Sequence, residues 1–261
     1  MSIRRQLRAL DARGSTLTLV GEVSVEALDH ELRVHADPDR AIREKAYLKS
    51  ELTHYGVSVP TLHRLAKATG RHLDRQSLLR LAAGLWDEPS AAPVHERRYL
   101  AADLLAHRVD LLEVGDVAVL ERLLRQSRTW ALVDTLAPSV VGPLDERLPG
   151  RLDATLDRWV EDDDFWMRRA ALLTHLIPLR HQRGDWPRFC RYADELLADR
   201  EFFVAKAIGW VLRDTARRRP NLVLDWVEPR VTRMQSVTFR EVLKPFSVEV
   251  QQRLRDYRSH H

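Results

Sequence analysis

Three short segments of this 261-residue chain hold the side chains whose types and spacing best suit chemistry. In Arg128-Thr129-Trp130-Ala131-Leu132-Val133-Asp134-Thr135-Leu136-Ala137-Pro138, Trp130 and Asp134 stand at i and i+4, so a helix presents an indole and a carboxylate on one face. In the second segment Asp162-Asp163-Asp164 offers negative charge to a helix N-terminus. Phe165-Trp166-Met167-Arg168-Arg169 follows, with Trp166 and Arg169 as i, i+3 neighbours and Arg168 pointing elsewhere. In the third, Lys206, Trp210 and Arg213 share one stripe of a helix that begins near Glu201. A cation–aromatic–cation stripe calls for a surface partner, and Gly209 inside that helix costs about 1 kcal/mol against Ala unless a neighbour needs close approach. Arg217-Arg218-Arg219 closes the same helix, where cations suit the dipole and can reach phosphates. Each segment also has an ordinary reading. Trp130 can be core with Asp134 a solvated or capping acid, and Arg169 can bury its stem and pair with a local acid.

Other chemistries are excluded by what the sequence lacks. It has no glycine-rich phosphate loop, no Gly-x-Ser-x-Gly elbow and no His-Glu-x-x-His. The single cysteine, Cys190, rules out an intramolecular disulfide and any multi-cysteine metal site, and its apolar flanks make it a core filler. The eleven histidines are scattered, with His63 and His72 badly spaced for one helix face, so neither a metal nor a cofactor is expected. The start Met1-Ser2-Ile3-Arg4-Arg5 lacks an apolar core, and no stretch approaches the roughly 18 apolar residues of a membrane span. The expectation is a cytoplasmic protein without membrane contact. The formal charge is +4, and Arg greatly outnumbers Lys; Arg suits bidentate phosphate contacts and stacking on rings.

The elements that must position these groups are helical. Leu78, Leu81 and Leu85, then Leu120, Leu123 and Leu124, then Leu172, Leu176 and Ile177 recur at three- and four-residue spacing, while Pro and Gly gather at the joints. The pattern predicts helices at 24–35, 38–54, 129–145, 163–180 and 200–217, among others. Ser15 to Val25 alternates like a short strand, but no second such segment exists to pair with it. Residues 1–23 are therefore read as an N-terminal extension and 24–258 as a single all-α domain. Paired helices with short loops predict an α-solenoid of units of roughly 40 residues, whose one long concave face has room for a duplex.

Taken together, the segments resemble the AlkD-like family of DNA alkylation repair glycosylases, proteins of HEAT-like helical repeats. The matching stretches are Ala46-Tyr47-Leu48-Lys49 with Tyr55-Gly56-Val57, then Thr129-Trp130 through Asp134 to Ala137-Pro138, then Phe165 to Ala171, and Arg200 to Arg213. They stand in family order over about Ser24 to Phe246. The resemblance implies a superhelix whose concave, basic face holds double-stranded DNA, and excision from it of positively charged N3- and N7-alkylated purines without turning the base into a deep pocket. It places the catalytic carboxylate on Asp134, lesion-facing tryptophans on Trp130 and Trp210, the active-site arginine on Arg169 and a DNA-surface tyrosine on Tyr47. Lys206, Arg213, Arg168 and Arg217 to Arg219 complete the expected DNA-binding set, with Arg169 also expected to reach backbone phosphates. Thr129 departs from the family, which often carries a second aromatic residue there.

The implied chemistry suits these side chains. A cationic purine leaves without a general acid, and the sugar takes on oxocarbenium character that a fixed carboxylate stabilises. At about 4 Å and an effective dielectric near 20, that attraction is about 4 kcal/mol, on the order of a thousandfold in rate. Trp130 and Trp210 would favour a charged base over a neutral one. A shallow site would also admit bulky adducts, including those of DNA-alkylating antibiotics to which a host must be resistant. The expected enzyme acts as a monomer in base excision repair, cytoplasmic and on the nucleoid when bound to DNA. The competing expectation is a non-enzymatic repeat module that binds DNA or protein.

Overall fold

The computed structural model describes residues 23–260. Most of the extension expected over 1–23, and of the strand-like Ser15–Val25, lies outside them; Ser24 caps a helix that begins at Val25, in line with the helix predicted over 24–35. Among the described residues there is no strand, only an isolated bridge between Thr53 and Val94. The chain has an all-α helical-repeat fold, and no described helix is long and apolar enough to cross a membrane. Within the range expected as one domain, the helices form two compact units that divide between Leu111 and Leu112.

The first unit carries α1 (Val25–Val34), α2 (Pro38–Leu48), α3 (Val59–Gly70), α4 (Arg75–Asp87) and α5 (His95–His107). The hydroxyl of Ser24 accepts from the Ala27 amide to start α1, and the Asp37 carboxylate accepts from Arg40 to start α2, where Pro38 needs no partner. The predicted helix 38–54 stops at Leu48 because Lys49 turns left-handed, with φ 49°. The chain then leads through an irregular segment to Tyr55, Gly56 and Val57, whose amides all donate to the carboxylate of Glu96 on α5. Packing of α5 against α3 and α4 buries Leu62, Leu78, Leu85, Trp86, Leu100 and Leu104.

The second unit holds α6 (Val117–Ser127), α7 (Trp130–Leu136), α8 (Gly142–Arg147), α9 (Asp153–Val160), α10 (Phe165–Leu173), α11 (Leu176–Arg180), α12 (Trp186–Glu195), α13 (Phe202–Ala216), α14 (Pro220–Val227), α15 (Ser236–Leu243) and α16 (Val248–His260). Two predicted helices are interrupted, and proline causes both breaks. Within 129–145, Pro138 has no N–H to donate to the carbonyl of Asp134, and Ala137–Val141 widens into a π turn in which Gly142 donates to Ala137. Within 163–180, Pro178 likewise withholds a donor from the Thr174 carbonyl, and α10 ends at Leu173. The two interruptions meet: a Cβ added to Gly142 would lie 2.5 Å from the Thr174 oxygen, so only glycine fits there.

Inside each unit, polar ties between neighbouring helix pairs recur at nearly constant sequence separation. His63 and Asp103 are 40 residues apart, and Arg108 and Gly70 are 38. In the second unit Arg125 and Asp162 are 37 apart, Arg169 and Asp134 are 35, and Arg180 and Asp214 are 34. That spacing is the repeat length expected from the loops, written here in side-chain pairs rather than in identical residues.

Candidate active site around Asp134

Helix α10 lies against both α7 and α13, the helices that carry the other candidate residues. Its position is fixed at the N-terminus by Asp164, whose carboxylate accepts from the Trp166 amide, and by Asp162, which accepts from the Asp164 amide and pairs with Arg125 on α6. From this footing Arg169 projects inward and is 2 % exposed. Its Nε and Nη2 donate to the two oxygens of Asp134 on α7, both at 2.8 Å, and its Nη1 donates to the carbonyl of Phe203 on α13. One guanidinium thereby ties three helices together at the carboxylate. The fork geometry that permits this belongs to arginine and not to lysine.

Asp134 itself keeps 15 % of its side chain exposed, so the pair is nearly but not wholly closed off. Burial pushes its carboxyl above the ordinary aspartate value, while Arg169, and after it Lys206, pull the other way. Lys206 thus adds a positive field at Asp134 from α13, and its ammonium also sits 5.6 Å from the ring centre of Phe202, one turn earlier. Trp130 begins α7 one turn before Asp134, and Trp210 stands one turn beyond Lys206; both are half-buried. The carboxylate therefore sits where α7, α10 and α13 converge, with an indole on each of the two outer helices.

The expected cations divide into groups. Arg169, expected from sequence to reach a backbone phosphate, instead lies 2 % exposed and points three of its five N–H donors at Asp134 and the Phe203 carbonyl. Arg168 donates to Asp199 and to the carbonyls of Asp162 and Asp163, which makes it a fastening between loops. Arg213 is held by Glu241 on α15 and lies against Asp214. Gly209 is explained by the same packing, since a Cβ there would meet the Glu241 Cβ at 2.7 Å and the Thr238 oxygen at 3.0 Å as α15 closes on α13. Arg219 donates to the Leu179 carbonyl, whereas Arg217 and Arg218 are exposed. Tyr47, on α2 of the first unit, is 73 % exposed.

The family that these residues suggested is decided by comparison. The family model described as DNA alkylation repair enzyme matches residues 28–246. The chain belongs to that family. A solved structure of a predicted DNA alkylation repair enzyme from Enterococcus faecalis is similar in fold, with a TM-score of 0.71 and 21 % identity, covering 82 % of this chain and 98 % of that one. No curated protein matches. Membership gives this DNA alkylation repair protein an enzyme's role in dealing with alkylation damage, with DNA as its partner.

In this alkylation repair protein an aromatic shelf, not evident from the spacing within any one helix, stands beside Arg169. The ring centres of Trp166 and Phe203 are 4.9 Å apart, those of Phe165 and Trp166 4.6 Å, and the Arg169 guanidinium carbon lies 5.7 Å from the Phe203 ring centre. The local trace of the shelf is Phe202-Phe203 followed closely by Lys206. Thr129 supplies no cap to α7: its hydroxyl is buried and has no hydrogen-bond partner. Cys190, expected to fill the core, is only half-buried on α12, and its partial burial pushes the thiol up to about 12, which disfavours the thiolate.

Proposed function

We propose that this chain is a monofunctional DNA glycosylase that hydrolyses the N-glycosidic bond of N3- and N7-alkylated purines in double-stranded DNA. The observation that carries the reading is the Asp134–Arg169 pair: a carboxylate held by both oxygens, mostly buried, yet still open on one side. A scaffold that only binds phosphates gains nothing from a fixed negative charge among cations. A reaction that builds positive charge on a sugar does.

In this reaction the C1′–N bond breaks and its electron pair passes to the purine, cancelling the positive charge that alkylation placed there. The base departs neutral, so no acid is required. Positive charge moves to the deoxyribose, where Asp134 stabilises it and orients a water for attack at C1′; the proton of that water leaves through the carboxylate to solvent. Arg169 fixes the direction of the carboxylate, and Lys206 helps keep it ionised. Trp130 and Trp210 offer ring faces to the cationic nucleotide, each interaction contributing about 0.5–2 kcal/mol. The base stays in the duplex while it is cut, so both methyl and bulky adducts are substrates.

The test is mass spectrometry of bases released from duplex DNA treated with small and with bulky alkylators. Release of N7- or N3-alkylpurines is the expected result, and the adduct spectrum defines the size range. Tight DNA binding with no release from any of these substrates would instead favour a non-enzymatic binding module.

A further inference from the structure

The first unit brings together three side chains that the alkylation chemistry does not use. His63 projects from α3, and Asp103 and His107 stand one turn apart on α5. The Asp103 carboxylate is 4 % exposed as a residue, and each of its oxygens faces an imidazole: Oδ2 is 2.6 Å from His63 Nδ1, and Oδ1 is 4.0 Å from His107 Nε2. All three ligand atoms lie within 4.8 Å of one another. Both histidines keep an open side, with side chains 49 % and 37 % exposed.

Charge makes the cluster unusual. A buried carboxylate ordinarily pairs with Arg or Lys, as Asp134 does. Arg108, beside His107, instead spends its guanidinium on the carbonyls of Gly70 and Leu73 and on Asp110, and Arg64 turns to Thr61. Among the described residues only the two imidazoles face Asp103. A second group of similar composition, Glu44, His54 and Glu96, is less suited, because the Glu96 oxygens already accept three backbone amides.

We propose that His63, Asp103 and His107 form a binding site for a zinc-class divalent transition-metal ion. Two nitrogens and one carboxylate oxygen are a borderline-soft donor set for such an ion, and ligand atoms about 2.0–2.2 Å from one metal can be gathered from these separations by small rotamer shifts. The ion takes the place of the hydrogen bond between His63 and Asp103, adds positive charge beside the buried carboxylate, draws His107 inward and takes water on its open side. It clips α3 to α5, and it is independent of the glycosidic chemistry.

The test uses the full chain after chelator treatment, in a background with His260→Ala and His261→Ala so that the terminal pair cannot bind. Zinc is titrated against a chromophoric chelator, and cobalt absorption is recorded separately. One equivalent of zinc is expected, with a thermal midpoint that rises with zinc concentration. His63→Ala and His107→Ala should each weaken binding at least tenfold and abolish the visible cobalt bands of a low-coordinate nitrogen and oxygen site. Both substitutions are at exposed positions, so circular dichroism should remain that of the parent. Less than one equivalent in the parent, or affinity and cobalt spectrum unchanged in both variants, would overturn the proposal.

Discussion

Arg169 grips Asp134 by both carboxylate oxygens, at 2.8 Å each, and at the same time donates to the Phe203 carbonyl one helix further on. This buried fork sets the direction of the only carboxylate to which the proposed reaction assigns a charge-stabilising part. It also turns Arg169, expected from sequence to reach backbone phosphates, toward the carboxylate.

Replacing Arg169 by lysine preserves one positive charge but not the fork. Base release should fall by at least tenfold in kcat, with affinity for undamaged duplex within about twofold of the parent. Single-turnover kinetics beside a DNA-binding titration will check this. A drop in affinity with kcat intact would return Arg169 to the phosphate-binding role.

The pH profile follows from the same pair. Burial raises the Asp134 carboxyl above the ordinary aspartate value near 3.9, and only the ionised form stabilises the sugar cation. Activity should thus fall on acidification at a pH above that ordinary value. Arg169 and Lys206 both oppose the rise, so Lys206→Met should move the acid limb to still higher pH. For stability the sign is opposite to that of a salt-bridged surface acid: the folded state holds this proton more tightly than the unfolded chain does. The ionised group costs stability above its folded pKa, and that cost is relieved as pH falls toward the unfolded value. An acid limb unmoved in Lys206→Met would remove Lys206 from the electrostatics of the site.

Binding of DNA should rest on the exposed end of α13 more than on its middle. The double variant Arg217→Ala, Arg218→Ala is expected to weaken binding to any duplex alike, and to reduce the slope of log affinity against log salt by about 1 for each phosphate no longer neutralised. Arg213→Ala should leave that slope nearly unchanged, because Arg213 is spent on Glu241. Fluorescence anisotropy over a range of salt concentrations distinguishes the two.

The joint behind the site is predicted to tolerate no side chain. Gly142→Ala places a methyl group 2.5 Å from the Thr174 oxygen, in the region where two proline-interrupted helices meet. A destabilisation of about 1–3 kcal/mol in urea denaturation is expected from such overpacking. An unchanged midpoint would mean that the π turn over Ala137–Val141 shifts to make room.

The all-α class and the location of the carboxylate were legible because both are local: helical periodicity, Trp130 and Asp134 at i and i+4, and an acidic start to α10. Proline was visible at 138 and 178, but its consequence was not, since a helix can absorb the missing bond as a π turn or end on it according to what packs alongside. Gly209 was read as a sign of close approach, and the approach proved to be α15 rather than a ligand. The fates of Arg168 and Arg213 depend on Asp199 and Glu241, which lie 31 and 28 residues away, and no helix spacing announces such partners. His63 and Asp103, 40 residues apart, were hidden for the same reason. Side-chain pairing between repeats is the part of this fold that sequence periodicity does not carry.

The most direct test of the proposed chemistry is Asp134→Asn, which keeps the shape of the side chain and an acceptor for Arg169 while removing the charge. Mass spectrometry of bases released in single turnover from alkylated duplex should show release by the parent and a fall on the order of a thousandfold in the variant. Duplex affinity and the circular dichroism spectrum should remain those of the parent. Release by Asp134→Asn at the parent's rate would contradict the assignment of the carboxylate to the reaction.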